Sequence, residues 1–423
     1  MLSVSSRPLR VCVCTSYSAA AEPRAPRHAL AVAALGDNYE VIFVDCVATG
    51  AAAESYNPFQ SVRNILRISH RYAHRGSGIV RLFFDKAARA VARQLFEWFG
   101  FLHPVALNTR FIGFEALLRS LKADVYIGHN VETLVPTCRA AAARGGLAMF
   151  DCMEFYSDMG DSQNVLDRRI IERMERACIP KCALVLASSD EMADALAATY
   201  RIKRPVALYN VPPAGPHQHV CEHAGLALYW RNSVIGFGQR GLEDVLEALA
   251  EVPDDVTLHL QGRLPADGGA EVRARIATLQ LEHRVFIHGP YVPPDAVRTA
   301  SQYCVGLCLE HSGIRNHDLT VSNKMFDYLM AGLVVLASDL PSLHAVIERS
   351  HGGLCFQAGN PWDLASKINL LRDDRELRLK LAANARTFAM TVGNRETEMV
   401  RFQEAFLDAI GTSDATAALA ETR

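Results

Sequence analysis

Apolar residues along this chain come in short β-branched or cysteine-rich runs, separated by alanine- and leucine-rich amphipathic stretches. Arg10–Thr15 is such a run and predicts a buried first strand; His28–Leu35 predicts a helix and Tyr39–Cys46 a second strand. Strand, helix and strand within about forty residues imply a right-handed crossover in a parallel sheet. The alternation resumes with strands at Ala123–Ile127, Leu147–Asp151, Ala183–Ser189 and Pro205–Tyr209. Helices are expected between them, from Thr133, near Arg168–Cys178 and over Asp190–Tyr200.

Asn210–Gly225 then breaks the pattern, with three prolines and no hydrophobic period, and reads as a linker. Beyond it the alternation starts afresh. Strands are expected at Leu226–Trp230, Val256–Gly262, Arg284–Pro290, Cys304–Leu309 and Leu333–Asp339, with helices at Leu242–Leu249, Ala270–Leu279 and near Lys324–Ala331. Two such blocks predict an α/β fold of two doubly wound, Rossmann-like domains facing a cleft, with ligands at the carboxyl ends of the strands. The boundaries drawn are 1–209, a linker at 210–225, 226–390, and 391–423 for a final helix and a frayed tail. That helix, Arg395–Ile410, is expected to pack back on the N-terminal domain.

A length of 423 residues agrees with two cores, and a formal charge of −2 offers nothing global to nucleic acid or an anionic membrane. Arg63–Arg93 is a local exception: eight Lys/Arg stand against one Asp, interleaved with Ile, Leu, Phe and Val. Such a segment suits a bilayer surface, or is simply a set of solvated helix faces. The 11 cysteines, several inside apolar runs, read as small core residues of a reducing cytoplasm. The N-terminus lacks the apolar stretch of a signal peptide, and no run is long enough to predict a spanning helix.

Ser322–Asp339, SNKMFDYLMAGLVVLASD, holds the most informative chemistry. Ser322 and Asn323 precede a helix whose first turn carries Lys324 and, three residues on, Asp327. A helix N-terminus presents free N–H groups and positive potential to a phosphate, Lys324 adds a cation, and Asp327 can accept hydrogen bonds from paired ribose hydroxyls. An ordinary capped helix with solvated Lys and Asp fits the same letters. Gly236–Gly241, GFGQRG, matches GxGxxG before the helix LEDVLEAL. A dinucleotide fold would need a carboxylate after the next strand, but VTLHLQG ends in Gln261 and Gly262. A phosphate loop and a structural tight turn both remain. His217, His219, Cys221 and His223 could bind zinc by residue type, but alternating ligands on an extended segment cannot wrap a tetrahedral ion, so a polar linker is expected.

The Ser322–Asp339 stretch resembles the donor-site segment of glycosyltransferase family 4, a retaining family with the GT-B fold, whose pattern there is P-x-K-x-x-E-Y-x-A-x-G-x-P-V-V-A-S-D. AEPRAPRHALAVAALGDNYEVIFVD resembles the family's first crossover, ADVYIGHNVETLVP its D-V-V-H-A-H-D strand and loop, and LAMFDCMEFYSD its Y-D-x-H-E segment. The resemblance implies a glycosyltransferase that moves a sugar from a nucleoside diphosphate sugar to a hydroxyl of a glycan or lipid-linked acceptor. Such an enzyme would lie in the cytoplasm, free or peripheral to the membrane through Arg63–Arg93. It also implies that Gly238, Arg240, Gly241, Ser322, Asn323, Lys324 and Asp327 hold the donor, with Arg240 on the diphosphate. His129, after the strand DVYIG, would lie against the transferred sugar at a carboxyl end pointing into the cleft; by itself it reads as a surface or core histidine. Glu154 is a further candidate.

Two departures stand out. Asp327 replaces the family's ribose-gripping Glu, and the register of the family's paired glutamates puts Leu319 where the first should be. Glu310 and Asp318 have that spacing, but in a register that does not fit the helix. The sequence has no D-x-D for a divalent cation, so Arg240 and Lys324 are expected to meet the diphosphate charge without a metal, and no cofactor beyond the donor substrate is expected. Two other roles fit the same architecture: a GT-B nucleotide-sugar epimerase, or a non-catalytic partner subunit.

Overall fold

The computed structural model describes residues 7–50, 56–72, 79–160, 163–216, 225–238, 240–292 and 295–421. The chain forms two compact units: unit 1 is Met1–Leu208 with Met399–Arg423, and unit 2 is Tyr209–Glu398.

Unit 1 is built on β1 (Leu9–Thr15), β2 (Tyr39–Ala48), β3 (Ile65–Tyr72), β4 (Val125–His129), β5 (Leu147–Cys152), β6 (Leu184–Ala187) and β7 (Val206–Ala207). All pair in parallel, in the order β3-β2-β1-β4-β5-β6-β7. The helices of this unit are α1 (Arg24–Ala33), α2 (Ile79–Phe99), α3 (Phe114–Ser120), α4 (Val131–Ala142), α5 (Val165–Cys178) and α6 (Asp190–Tyr200). Strands as fully buried as β1 and β4 are near-continuous apolar runs, because helices cover both faces of a parallel sheet. The order reverses direction between β1 and β4, and a ligand crevice forms at such a switch point.

Unit 2 repeats the plan with β8 (Leu226–Val234), β9 (Val256–Arg263), β10 (Val285–His288), β11 (Val305–Cys308), β12 (Val334–Ser338) and β13 (Gly353–Phe356), all parallel in the order β10-β9-β8-β11-β12-β13. Its helices are α7 (Leu242–Ala250), α8 (Ala270–Thr278), α9 (Ala296–Ala300), α10 (Arg315–Leu319), α11 (Asn323–Ala331), α12 (Pro341–Ser350), α13 (Pro361–Asp373) and α14 (Arg375–Thr391). Here the switch point lies between β8 and β11.

The last helix, α15 (Arg395–Glu421), starts in unit 2 and ends in unit 1, where Phe402 and Phe406 join the core and Phe402 stacks on His28 at 4.1 Å. It runs on past Ile410 to Glu421, where a frayed tail was expected, because the alanine-rich sequence there favours helix. Of the expected linker, the segment up to Gly215 is bound into unit 2. Val211 is buried, Ala214 N–H donates to Glu396, and the Pro212 carbonyl accepts from Arg395 N–H. His217, His219, Cys221 and His223 lie outside the described residues. Among the described residues nine cysteines are free thiols, most of them buried as expected of small core residues, and Cys304 is disulfide-bonded.

Candidate active site

In unit 2 the switch point gathers charge. Glu310 follows β11, its backbone N–H held by Ser338 Oγ at 3.0 Å, and its side chain is only 5% exposed. It pairs with Arg240, whose side chain is 44% exposed, and its Oε1 lies 4.0 Å from Lys324 Nζ. Lys324, in the first turn of α11, is itself buried, with its ammonium 5.7 Å from the centre of the Trp230 ring. Burial lowers its pKa and Glu310 offsets part of that fall. His317 Nδ1 stands 3.8 Å from Glu310 Oε2, which completes no hydrogen bond among the described residues.

Beside this group, Arg231 ends the regular part of β8 and pairs with Asp327 at 2.5 Å, its guanidinium over the Tyr291 ring at 4.4 Å. Burial alone would lower the Arg231 pKa, but the Asp327 carboxylate outweighs it and raises it. Asp327 therefore has an ion-pair partner that the sequence pattern did not reveal. Ser322 caps α11 with its backbone extended and without a side-chain cap bond, and Asn323 is exposed.

The glycine loop leads into α7. Gly241 is in the left-handed region (φ 61°), and a Cβ there would meet Leu309 Cβ at 2.8 Å, so the loop passes too close to the end of β11 for a side chain. Gly238 is exposed, its N–H donating to Glu243 at 2.7 Å. Asp244 on α7 lies 3.1 Å from His311 Nε2. Of the expected donor residues, Arg240 and Lys324 share one carboxylate, and Asp327 stands next to them on α11. Sequence reasoning set Glu310 aside, with Asp318, as out of register, and passed over Arg231. Both had a signal, since Arg231 closes the buried run of β8 and Glu310 lies two residues beyond β11, the two strands of the switch point.

His129, in unit 1, was expected at an open strand end. It does close β4, in register with Asp151, but it is wholly buried. Its Nδ1 lies 3.0 Å from Asp151 Oδ2. Arg24 on α1 holds the same carboxylate through Nε at 2.6 Å and Nη2 at 2.8 Å, and donates through Nη1 to the Leu208 carbonyl. Burial would raise the Asp151 pKa, yet Arg24 with His129 and His28 holds it well below the usual carboxylate range. This ion cluster draws His129 inward. Gly128, one residue earlier, allows α4 its close approach: a Cβ there would lie 2.7 Å from Thr137 Oγ1. His28, His129 and Asp151 are near enough to share a cation, as are Asp339, His344 and Cys355. In the first group a cation would face the Arg24 guanidinium; in the second His344 already sits between Asp339 at 2.7 Å and Glu348 at 3.1 Å.

The Arg63–Arg93 segment is less basic in space than in sequence. Arg67 is paired with Asp45, and Arg89 and Arg93 both with Asp167. Among the described side chains of α2, those exposed include Phe83, Phe84, Val91, Trp98 and Phe99, the first two and last two at 65–75% exposure, with Lys86 and Glu97 beside them.

Residues 234–374 match the family model of group 1 glycosyl transferases. The matched stretch contains Arg240, Glu310, Lys324 and Asp327. No curated protein matches the chain. Among solved structures, HepE of Anabaena in complex with UDP-glucose is 14% identical, with 95% of this chain and 100% of that one covered and a TM-score of 0.66. Sucrose-phosphate synthase of Thermosynechococcus elongatus is 14% identical over 96% and 100%, with a TM-score of 0.69. WaaG, a glycosyltransferase involved in lipopolysaccharide biosynthesis, is 14% identical over 94% and 99%, with a TM-score of 0.59. The fold is therefore GT-B, with two Rossmann-like domains of parallel sheet. The family match is confined to residues 234–374, and at 14% identity the solved structures establish the fold alone.

Proposed function

We propose that the chain transfers one glycosyl unit, with retention, from a nucleoside diphosphate sugar to a hydroxyl of a glycan or lipid-linked acceptor. The observation that carries this reading is the pair of cations, Arg240 and Lys324, converging at the β8/β11 switch point beside the first turn of α11, inside the family-matched segment. Preorganised cations stabilise charge developing on a leaving diphosphate, and in this reading they do so without a metal. Asp327 takes the ribose hydroxyls while staying paired to Arg231, and Gly238, Gly241, Ser322 and Asn323 offer backbone and side-chain donors to the phosphates.

By the family resemblance His129 is the candidate for the sugar side, supporting positive charge on the ring as the bond to the diphosphate breaks, a role that requires its ring, wholly buried beside Asp151 in unit 1, to become accessible to the donor. Retention rests on the family resemblance. HepE binds UDP-glucose, which makes UDP-glucose the first donor to try. The aromatic outer face of α2 suits an interfacial position on a membrane that carries the acceptor.

The test is turnover by the isolated chain. A panel of nucleotide sugars is offered with glycan and lipid-linked acceptors, with and without chelator, and the anomeric configuration of the product is read by NMR. Acceptor-dependent release of nucleoside diphosphate that survives chelation, with the donor's configuration kept, is the expected result. An inverted product or loss of activity with chelator would remove those parts of the reading.

A further inference from the structure

A diphosphate that engages Arg240 and Lys324 does not meet two idle cations, because both already face Glu310. The three groups differ in freedom. The side chains of Lys324 and Glu310 are each 5% exposed, whereas Arg240 is 44% exposed. Glu310 is fixed from below by its place after β11 and by the bond from its N–H to Ser338. The charge of Arg231 is matched by Asp327, so Arg240, Lys324 and Glu310 decide how the subsite receives an anion. A phosphoryl group beside Lys324 would lie next to the Glu310 carboxylate, and like charges so juxtaposed cost affinity.

We propose that Glu310 is the internal counter-anion of the diphosphate subsite. It positions Arg240 and Lys324 before nucleotide arrives, and it gives up Arg240, the one exposed member, to the diphosphate. The exchange takes place at Arg240 because Lys324 has no room to leave. Glu310 is thus a positioning residue that trades affinity for a subsite whose buried lysine always has a partner. The inference rests on the reading of Arg240 and Lys324 as diphosphate ligands.

Inorganic pyrophosphate, which needs no choice of base or sugar, is the probe. It is titrated calorimetrically at low ionic strength and mildly acidic pH, which favours the ammonium form of Lys324 when its carboxylate is removed. Glu310→Gln should bind pyrophosphate roughly tenfold tighter than the parent, the size expected for relief of one like-charge contact. Glu310→Asp, which keeps the charge but shortens the reach, should fall between the two and guards against a folding defect in the Gln variant. In an Arg240→Ala background the gain from Glu310→Gln should shrink, since the two side chains act as a pair. Unchanged or weaker pyrophosphate binding by both Glu310 variants overturns the inference. If Arg240→Ala and Lys324→Ala leave pyrophosphate binding untouched, the diphosphate reading itself has failed. If those two weaken it and Glu310→Gln does not tighten it, only the counter-anion role has failed.

Discussion

Asp327 and Arg231 form an ion pair at 2.5 Å with side chains only 15% and 5% exposed, joining the first turns of α11 to the end of β8. Removing one partner of a buried pair leaves the other charge uncompensated, at a cost of about 3–5 kcal/mol. Asp327→Ala should therefore destabilise unit 2 by roughly that amount, whatever it does to ribose binding. Urea denaturation gives the stability change and nucleotide titration the binding change. A loss of affinity with stability intact would show that the ribose contact, not the ion pair, is the main task of Asp327.

Lys324→Ala should remove a charge-assisted contact worth ~1.5–3 kcal/mol, weakening nucleoside diphosphate binding by about one to two decades. Only the ammonium form attracts the phosphate. Affinity should therefore be full on the acid side and fall as pH rises through the Lys324 pKa, which burial places below that of an ordinary lysine. Titrations across alkaline pH, in the parent and the Ala variant, check this. A fall of the same shape in both proteins would assign it to another group.

Arg240→Ala should reduce turnover more than nucleotide affinity, if the guanidinium meets charge that develops as the diphosphate leaves. Comparing kcat with the nucleoside diphosphate Kd decides. Equal losses would make Arg240 a binding residue only.

His129→Ala should leave nucleotide affinity intact, since His129 belongs to unit 1, while turnover falls ~100-fold or more, as for loss of one preorganised polar contact. Unchanged turnover would leave it a buried structural histidine beside Asp151.

Glu175 of α5 supplies a pH-dependent stability. Burial raises its pKa to about 7, although hydrogen bonds from Ser157 and Tyr200 act the other way. A carboxyl whose folded pKa is raised holds a proton that the unfolded chain has released. Its stabilising contribution is therefore complete below the unfolded value of 4.5 and is lost as pH rises towards about 7. Glu175→Gln should flatten that slope. Denaturation curves at several pH values between these limits show whether it does.

Much of the framework was readable because buried parallel strands are continuous apolar runs, and the motifs between them, Lys324 and Asp327 on α11 and the glycine turn before α7, stand out against those runs. β3 was hidden because ILRISHRY is an edge strand with polar Arg67, Ser69 and Arg71 on alternate positions, and β13 because Gly353–Phe356 is only four residues long. Glu310 was set aside because spacing was counted along the helix, whereas α10 and its flanking loop intervene between Glu310 and α11. Distance along the chain does not report that fold-back. The exposure of Phe83, Phe84, Trp98 and Phe99 was equally illegible, since a helix pattern shows which residues share a side and not which side meets the core.

Because Phe402 and Phe406 complete the core of unit 1, that unit is not a contiguous stretch of chain. A ribosome that has finished Leu208 has not yet made everything unit 1 needs, and all of unit 2 emerges before the missing piece does. The first half must wait through the synthesis of the second with the surface around His28 uncovered. A product truncated before α15 should consequently be insoluble or chaperone-bound even though both sheets are present in it.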